Sequence, residues 1–112
     1  MIENLNLEAF NEKIIDFETN TFQGELPCIV KYSASWCSPC RALTPILEKL
    51  SEEYNSKINI YEIDVEEEIE LSSKFNIRSI PTMMFYKNNE PKIISGLISE
   101  FKLKELIEES LL

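Results

Sequence analysis

The sequence predicts an α/β protein with a central mixed β-sheet flanked by helices on both faces. The segment Cys28–Ser33 is a strand pattern with almost no polar break, as expected for a strand at the centre of a sheet. Helical patterns alternate with strand patterns along most of the chain. Near the C-terminus, the turn-forming segment 88–91 joins two strand patterns and predicts a hairpin. Alternation that ends in a hairpin predicts the mixed sheet.

The N-terminal part predicts a strand and a helix before the central strand. A short first strand is predicted at residues 2–5, and Asn6 can cap a helix over residues 7–17. One face of this helix is apolar at helical spacing, formed by Leu7, Phe10, Ile14 and Phe17. Residues 19–27 are polar and predict an irregular turn leading to the central strand.

The second half of the chain predicts three helices and three strands. Pro39 suits a helix start because its missing N–H would have no partner there, whereas Pro45 lies inside the helical pattern and predicts a kink. Ser99 can cap the last helix. The predicted elements are a helix at 41–54, a strand at 58–65, a helix at 69–75, strands at 82–87 and 92–97, and a last helix that offers Phe101, Leu103, Leu106 and Ile107 for packing.

Length and charge limit the possible classes of function. The chain has 112 residues, which predicts a single domain over 1–112 with one core. Its formal net charge is −9, so phosphate groups would be repelled, and neither a nucleic acid nor an anionic membrane surface is expected as a partner. No apolar run reaches the length of a membrane span, and the first residues lack the pattern of a signal peptide. The expectation is a cytoplasmic location.

Residue usage excludes several kinds of site. There is no histidine, which removes Ser-His-Asp and Cys-His catalysis and every histidine-containing metal site. Three cysteines are too few for a zinc site made of four thiolates within one chain. With only two glycines, the chain cannot form a glycine-rich phosphate loop. No metal and no bound cofactor are expected.

Two cysteines lie three positions apart where the central strand leads into a helix. Cys37 and Cys40 can close into a disulfide and open again. Free N–H groups and the positive end of the helix dipole stabilise a thiolate at this place. The pattern predicts reversible dithiol–disulfide exchange, with Cys37 as the nucleophile and Cys40 as the resolving thiol. The alternative is an inert or metal-binding pair.

With these elements in place, nearly the whole chain resembles the thioredoxin family. The matching pieces are the segment Trp36-Cys37-Ser38-Pro39-Cys40-Arg41, Pro45, the segment Ile77-Arg78-Ser79-Ile80-Pro81-Thr82, the turn 87–90 and Gly96. The resemblance implies the thioredoxin fold and a general protein-disulfide reductase without a bound cofactor. It also implies a thioredoxin reductase as electron donor and disulfide-containing client proteins as partners, and we expect a monomer.

The resemblance also implies roles for residues around the cysteine pair. Pro81 matches a proline that follows a cis peptide bond and faces the disulfide, so that the backbone of Ile80 can pair with a substrate strand. Residues expected to contact substrate are Trp36, Ser38, Pro39, Ile80 and Gly96, with Val65 and Leu97 completing an apolar rim. Each of the apolar residues has an alternative role in simple packing.

The chain departs from the family pattern at four positions. Ser38 replaces a glycine and could hydrogen-bond a sulfur or a capping N–H, and Ser33 replaces a common aromatic residue. Lys31 stands where thioredoxins usually carry a buried aspartate, and Glu62 stands where they often have a lysine. We interpret Lys31 and Glu62 as a charge-reversed pair beneath Cys40, because a lone lysine on a central strand is costly to bury.

Three roles for this pair remain open at the level of sequence. Glu62 could accept the Cys40 proton, a neutral Lys31 could accept it, or a charged Lys31 could stabilise the Cys40 thiolate. The alternative without catalytic significance is that Lys31 extends to solvent and Glu62 is a surface charge.

Cys28 and the overall function also have alternatives. Cys28 is expected to pack as a small buried residue, and the alternative is a regulatory thiol. The fold could be dedicated to one enzyme system, or the disulfide could be structural in a non-catalytic binding module.

Overall fold

Helices and strands alternate along the chain as the sequence predicts. The computed structural model describes residues 2–112. The elements are β1 (Glu3–Asn4), α1 (Leu7–Lys13), β2 (Ile15–Asp16), β3 (Thr21–Phe22), β4 (Cys28–Ser33), α2 (Ser38–Glu53), β5 (Asn59–Asp64), α3 (Ile69–Lys74), β6 (Thr82–Tyr86), β7 (Lys92–Ser95) and α4 (Glu100–Ser110).

Five strands form a mixed sheet with β4 at its centre. The strand order is β1-β5-β4-β6-β7. β5 runs parallel to both β1 and β4, whereas β6 is antiparallel to β4 and β7 is antiparallel to β6. All six residues of β4 are buried, which explains its almost unbroken apolar pattern. The predicted mixed sheet, central strand and C-terminal hairpin are confirmed.

Each face of the sheet is covered by two helices. Successive side chains of a strand point to opposite faces, so Ile29 lies on the face packed by α2 and α4, whereas Val30 lies on the face packed by α1 and α3. Lys31 shares the face of Ile29 and is the buried charged residue of β4. This alternation places the Lys31 side chain beneath α2, the helix that carries the cysteines.

The first helix is shorter than predicted. Asn6 caps α1 by accepting the N–H of Ala9 at 2.8 Å, as expected. The helix ends at Lys13 rather than at Phe17, because the side chain of Asn11 accepts the N–H of Phe17 at 2.7 Å and turns the chain. Phe10 and Ile14 are buried as predicted, and Phe17 still stacks on Phe10.

The connection to the central strand contains a small second sheet that the sequence analysis did not predict. β2 and β3 pair antiparallel, with Ile15 opposite Phe22. Asp16 stabilises the turn between them by accepting the N–H groups of Glu18 and Thr19, and Asn20 adopts a positive φ of 56°. The predicted irregular turn is therefore wrong in part.

The helix α2 begins three residues before its predicted start. It runs from Ser38 with Cys37 as its N-cap, Pro39 lies in the first turn, and Pro45 is inside the helix. Leu43, Leu47 and Leu50 are buried along its inner side, at the spacing of three to four residues that puts side chains on one face of a helix. Within residues 2–112, no helix is long and apolar enough to cross a membrane.

The last helix packs through fewer residues than predicted. Ser99 caps α4 by accepting the N–H of Lys102 at 3.1 Å, as predicted. Leu103, Leu106 and Ile107 are buried, but the Phe101 side chain is 77% exposed. Phe101 lies in the first turn of the helix, on the side that does not contact the sheet.

Candidate redox site

The cysteine pair lies at the N-terminus of α2, directly beyond the end of the central strand. Cys37 and Cys40 form a disulfide, with a Cα–Cα distance of 5.3 Å. The N–H of Cys37 donates to the carbonyl of Ala34 at 3.2 Å, which closes the turn between β4 and α2. The N–H of Cys40 donates to the Cys37 sulfur at 3.2 Å. The sulfur of Cys37 therefore acts as the helix cap, in the position that favours negative charge.

The two sulfur-bearing residues differ slightly in exposure. Cys37 is 5% exposed and Cys40 is 1% exposed, and both pack with Ala34, Val65 and Ile80. The order matches the expectation that the nucleophile is the more accessible of the two.

The segment around Pro81 faces the disulfide. The Ile80–Pro81 peptide bond is cis, and the carbonyl oxygen of Ile80 lies 4.0 Å from the Cys37 sulfur. The carbonyl of Pro81 accepts the N–H of Gly96 at 2.8 Å, and Gly96 has a φ of +91°. The fold thus brings the cysteines, Pro81 and Gly96 together from three separate parts of the chain.

A shallow groove adjoins the disulfide. Its lining residues are Trp36, Val65, Ile77, Arg78, Ser79 and Ile80. Trp36 is 64% exposed, so its ring is accessible to a partner. Of the predicted apolar rim, Val65 and Ile80 line this groove, Gly96 donates its N–H to the carbonyl of Pro81, and Leu97 is exposed.

Ser38 has a different partner from those predicted. Its hydroxyl accepts a hydrogen bond from the guanidinium of Arg41 at 3.1 Å, and the same guanidinium donates to the carbonyl of Ser35 at 2.7 Å. The expected bond to a sulfur or a capping N–H is not made, because the Cys37 sulfur already takes the N–H of Cys40. Arg41 instead ties the turn to the first turn of the helix.

Lys31 is buried directly beneath the first turns of α2. Its side chain is 1% exposed. The Nζ atom donates to the carbonyl oxygen of Cys40 at 2.8 Å, to Oγ1 of Thr44 at 3.0 Å and to Oε1 of Glu62 at 3.5 Å. Burial lowers the pKa of the lysine, and the carboxylate of Glu62 opposes this shift. The alternative in which Lys31 extends to solvent is wrong.

Glu62 lies opposite Lys31 in the parallel pairing of β4 with β5. One carboxylate oxygen contacts Lys31, and the other accepts the hydroxyl of Ser33 at 2.9 Å. The Glu62 side chain is 27% exposed, so the pair joins a buried charge to a partly solvated one. The structure brings together the two residues that the sequence analysis paired, while their role in exchange stays a prediction.

A polar cavity extends behind Cys40. It measures about 230 Å³ and is lined by Asn4, Lys31, Ser33, Ala34, Ser35, Cys40, Arg41, Thr44, Glu62 and Asp64. The sequence analysis missed Thr44 and treated Ser33 only as a lost aromatic. Helical spacing could have indicated Thr44, which follows Cys40 by four residues, and strand alternation could have placed Ser33 beside Lys31.

Cys28 is remote from this chemistry. It is buried at the start of β4, on the sheet face opposite to Lys31, and it forms no disulfide. Burial raises the pKa of its thiol from 9.0 to about 12. These observations favour the packing role over the regulatory thiol.

The acidic segment after β5 is held by local hydrogen bonds. The carboxylate of Asp64 accepts the N–H groups of Glu66 and Glu67 at 2.8 and 3.3 Å. Across the described part of the chain, no group of three or more histidine, cysteine, aspartate or glutamate side chains is placed to hold a metal ion.

Comparison with known proteins gives the family. The Thioredoxin family model matches residues 2–109. The chain is 34% identical to a thioredoxin of Borreliella burgdorferi over 97% of both chains. It is 46% identical to a thioredoxin of Rickettsia bellii over 68% of this chain and 72% of that protein. It is also 32% identical to a chloroplastic M-type thioredoxin of Spinacia oleracea, over 98% of this chain and 58% of that protein. The chain belongs to the thioredoxin family, and it is a thiol–disulfide oxidoreductase that reduces protein disulfides through its redox-active cysteine pair.

Proposed function

We propose that the protein is a general disulfide reductase in which Cys37 attacks client disulfides and Cys40 resolves the product. The observation that carries this proposal is the position of the Cys37 sulfur. It caps α2, accepts the N–H of Cys40 and lies beside the carbonyl of Ile80. A hydrogen bond from a backbone N–H and the helix dipole both stabilise a thiolate on Cys37.

The exchange proceeds in two balanced steps. The Cys37 thiolate attacks one sulfur of the client disulfide, forms a mixed disulfide with it and releases the other client sulfur as a thiolate. Cys40 then loses its proton to solvent and attacks Cys37, which forms the Cys37–Cys40 bond and releases the second client thiolate. The client gains two electrons and the cysteine pair loses two.

Clients bind in the groove beside the disulfide. The backbone of Ile80 before the cis bond is available to pair with an extended client segment, as in strand addition. The exposed ring of Trp36 and the apolar side chain of Val65 offer contact area for the client side chains. Ser38 and Pro39 lie between the two cysteines, and Gly96 bonds to Pro81, so these three residues are expected to complete the contact surface.

The partners follow from this chemistry. A thioredoxin reductase returns two electrons to the Cys37–Cys40 disulfide, and clients with accessible disulfides receive them. The cycle needs no bound cofactor on this chain. We assign the protein to the cytoplasm, as a monomer, with neither nucleic acid nor membrane as partner; the net charge of −9 supports the exclusion of polyanions.

Reduction of insulin by dithiothreitol tests the proposal. The wild-type protein should accelerate the reaction, Cys37→Ser should abolish the acceleration, and Cys40→Ser should form a mixed disulfide that persists and is detected by mass spectrometry. Cys28→Ala is the matched control, because it removes a thiol outside the site and should keep the wild-type rate. Turnover by the Cys37→Ser variant would contradict the proposal.

Two alternatives have distinct outcomes in a reductase-coupled assay with NADPH. A protein dedicated to one enzyme system would reduce a single client and leave insulin unreacted. A non-catalytic binding module would reduce no disulfide substrate at all.

A further inference from the structure

We propose that Lys31 is a positioning residue, charged at neutral pH, that stabilises the thiolate of Cys40, and that Glu62 limits this stabilisation. The two side chains thus control in opposite directions how readily Cys40 ionises. The inference deepens the proposed function and rests on it, because ionisation of Cys40 is the step that precedes release of the client.

The hydrogen bonds of Lys31 indicate the charged form of its side chain. Its Nζ atom has three acceptors: the Cys40 carbonyl, the Thr44 hydroxyl and the Glu62 carboxylate. Thr44 cannot be the donor in its bond to Lys31, because it donates its own hydrogen to the Cys40 carbonyl at 3.3 Å. An ammonium group has three N–H donors for these three acceptors, whereas a neutral amine has two.

The place of the charge explains why it acts on Cys40. The ammonium is 2.8 Å from the carbonyl oxygen of Cys40 itself, inside a side chain that is 1% exposed. Solvent screens a buried charge much less than a surface charge. The same bond fixes the first turn of α2 to the central strand, so the charge cannot move away from Cys40 without breaking the contact between α2 and β4.

Other charged groups face the same cavity. They are Glu62 and Asp64 on β5 and Arg41 on α2. The Cys37 thiol of the reduced protein lies three residues before Cys40, at the N-cap of α2. Arg41 is exposed and bonded to Ser35 and Ser38, and Asp64 is bonded to the backbone of Glu66 and Glu67. Glu62 is the one with a carboxylate directly on Lys31. Its negative charge partly cancels the field of the ammonium at Cys40.

This arrangement selects one of the three roles that the sequence left open. A neutral Lys31 that accepts the Cys40 proton does not fit the three acceptors. Glu62 is not placed as the proton acceptor either, because the contacts of its carboxylate are with the Lys31 ammonium and the Ser33 hydroxyl rather than with Cys40. The charged lysine remains, and it acts by stabilising the thiolate that forms.

Titration of Cys40 in the reduced protein tests the inference directly. The ¹³Cβ chemical shift of labelled Cys40 gives its apparent pKa without any client, reductase or turnover. Lys31→Met should raise this pKa, and Glu62→Gln should lower it, each by about one unit, which is a tenfold change in ionisation. The double variant should lie close to wild type.

A matched control removes a lysine charge that lies far from Cys40, on α2. Lys49→Met deletes an exposed ammonium paired with Glu100. It lies nine residues from Cys40, about 13 Å along the helix, where salt screens its effect. The Cys40 pKa should not change in this variant.

The opposite directions of the two predicted Cys40 pKa shifts separate an effect of charge from an effect of structure. A purely structural role would shift the pKa in the same direction in both variants, or in neither, and either result would overturn the inference. If Lys31→Met does not fold, Glu62→Gln alone decides, because an unchanged or raised pKa there contradicts the inference. Failure in the insulin assay with these opposite shifts intact would count against the proposed function alone.

Discussion

The three cysteines have different environments, and their reactivities should differ accordingly. Cys37 caps a helix and borders a groove. Cys28 is buried on the face of the sheet that is packed by α1 and α3, opposite to the face covered by α2. The thiolate is the reactive form of a thiol, and burial raises the pKa of Cys28 to about 12. We expect iodoacetamide to modify Cys37 in the reduced native protein while Cys28 stays unmodified.

Peptide mass spectrometry after timed labelling checks this prediction. Cys28 should label only after denaturant unfolds the chain, at a rate similar to that of the other cysteines in that state. Labelling of native Cys28 at the rate of Cys37 would restore the regulatory alternative.

At the residue scale, the sequence indicated which residues lie near the site, but it did not indicate which hydrogen bonds their side chains form. Lys31 and Glu62 could be paired because equal spacing on neighbouring strands places them opposite each other. The bond from Ser33 to Glu62 and the place of Thr44 beside Lys31 depend on side-chain conformations that no spacing rule contains. Ser38 illustrates the same limit, since competition for one N–H decided its partner.

At the element scale, the two glycines are required for different reasons. Gly96 has a positive φ of +91°, but a Cβ there would meet nothing within 4 Å. A Cβ on Gly24 would lie 2.5 Å from the Phe22 ring and 2.8 Å from the backbone oxygen of Leu26. Gly96→Ala should therefore cost about 1 kcal/mol of stability through backbone strain, and Gly24→Ala should cost more because of a steric clash.

Urea unfolding of both variants, in the oxidised form, measures these costs. The free energy of unfolding should fall in the order wild type, Gly96→Ala, Gly24→Ala, with unchanged slopes against urea. The reverse order of the two variants would contradict the structural assignment.

Sequence reasoning correctly placed the elements that have a clear hydrophobic pattern or a capping residue. The strand Cys28–Ser33 and the helix after Ser99 are examples. The end of α1 was misplaced because Ile14 and Phe17 continue the helical spacing although they pack from outside the helix. The pair β2 and β3 is only two residues long on each side, so its alternation is too short to detect in the sequence.

At the scale of the whole molecule, buried thiol and phenol groups make the protein less stable at alkaline pH. Burial raises the pKa of Cys28 from 9.0 to about 12, and it raises those of Tyr32 and Tyr86 above 10.0. The unfolded chain loses these protons at lower pH than the folded one. Stability is therefore complete below about pH 9 and falls above it, by up to about 1.4 kcal/mol per pH unit for each group.

Lys31 changes the pH dependence of stability in the opposite direction, because burial lowers the pKa of its side chain. Through Lys31 alone, the free energy of unfolding would rise as the pH approaches 10.5, where the unfolded lysine also loses its proton. Lys31 is one group against five, because the pKa values of Tyr54 and Tyr61 are also raised, so the net result is a loss of stability.

Urea unfolding of the oxidised protein from pH 7 to 11 measures the effect. In the Cys28→Ala variant, the decline should begin about one pH unit later, where the tyrosines start to titrate. An onset at the same pH in both proteins would show that Cys28 does not cause the early loss.

The equilibrium reduction potential of the Cys37–Cys40 pair tests the central claim most directly. The fluorescence of Trp36, the single tryptophan, follows the equilibrium in a series of dithiol redox buffers. Because Glu62 offsets the charge of Lys31, we predict a potential near that of a thioredoxin reductant, within about 30 mV of −270 mV. A potential above about −200 mV would contradict the account, because such a pair would oxidise thiols rather than reduce protein disulfides.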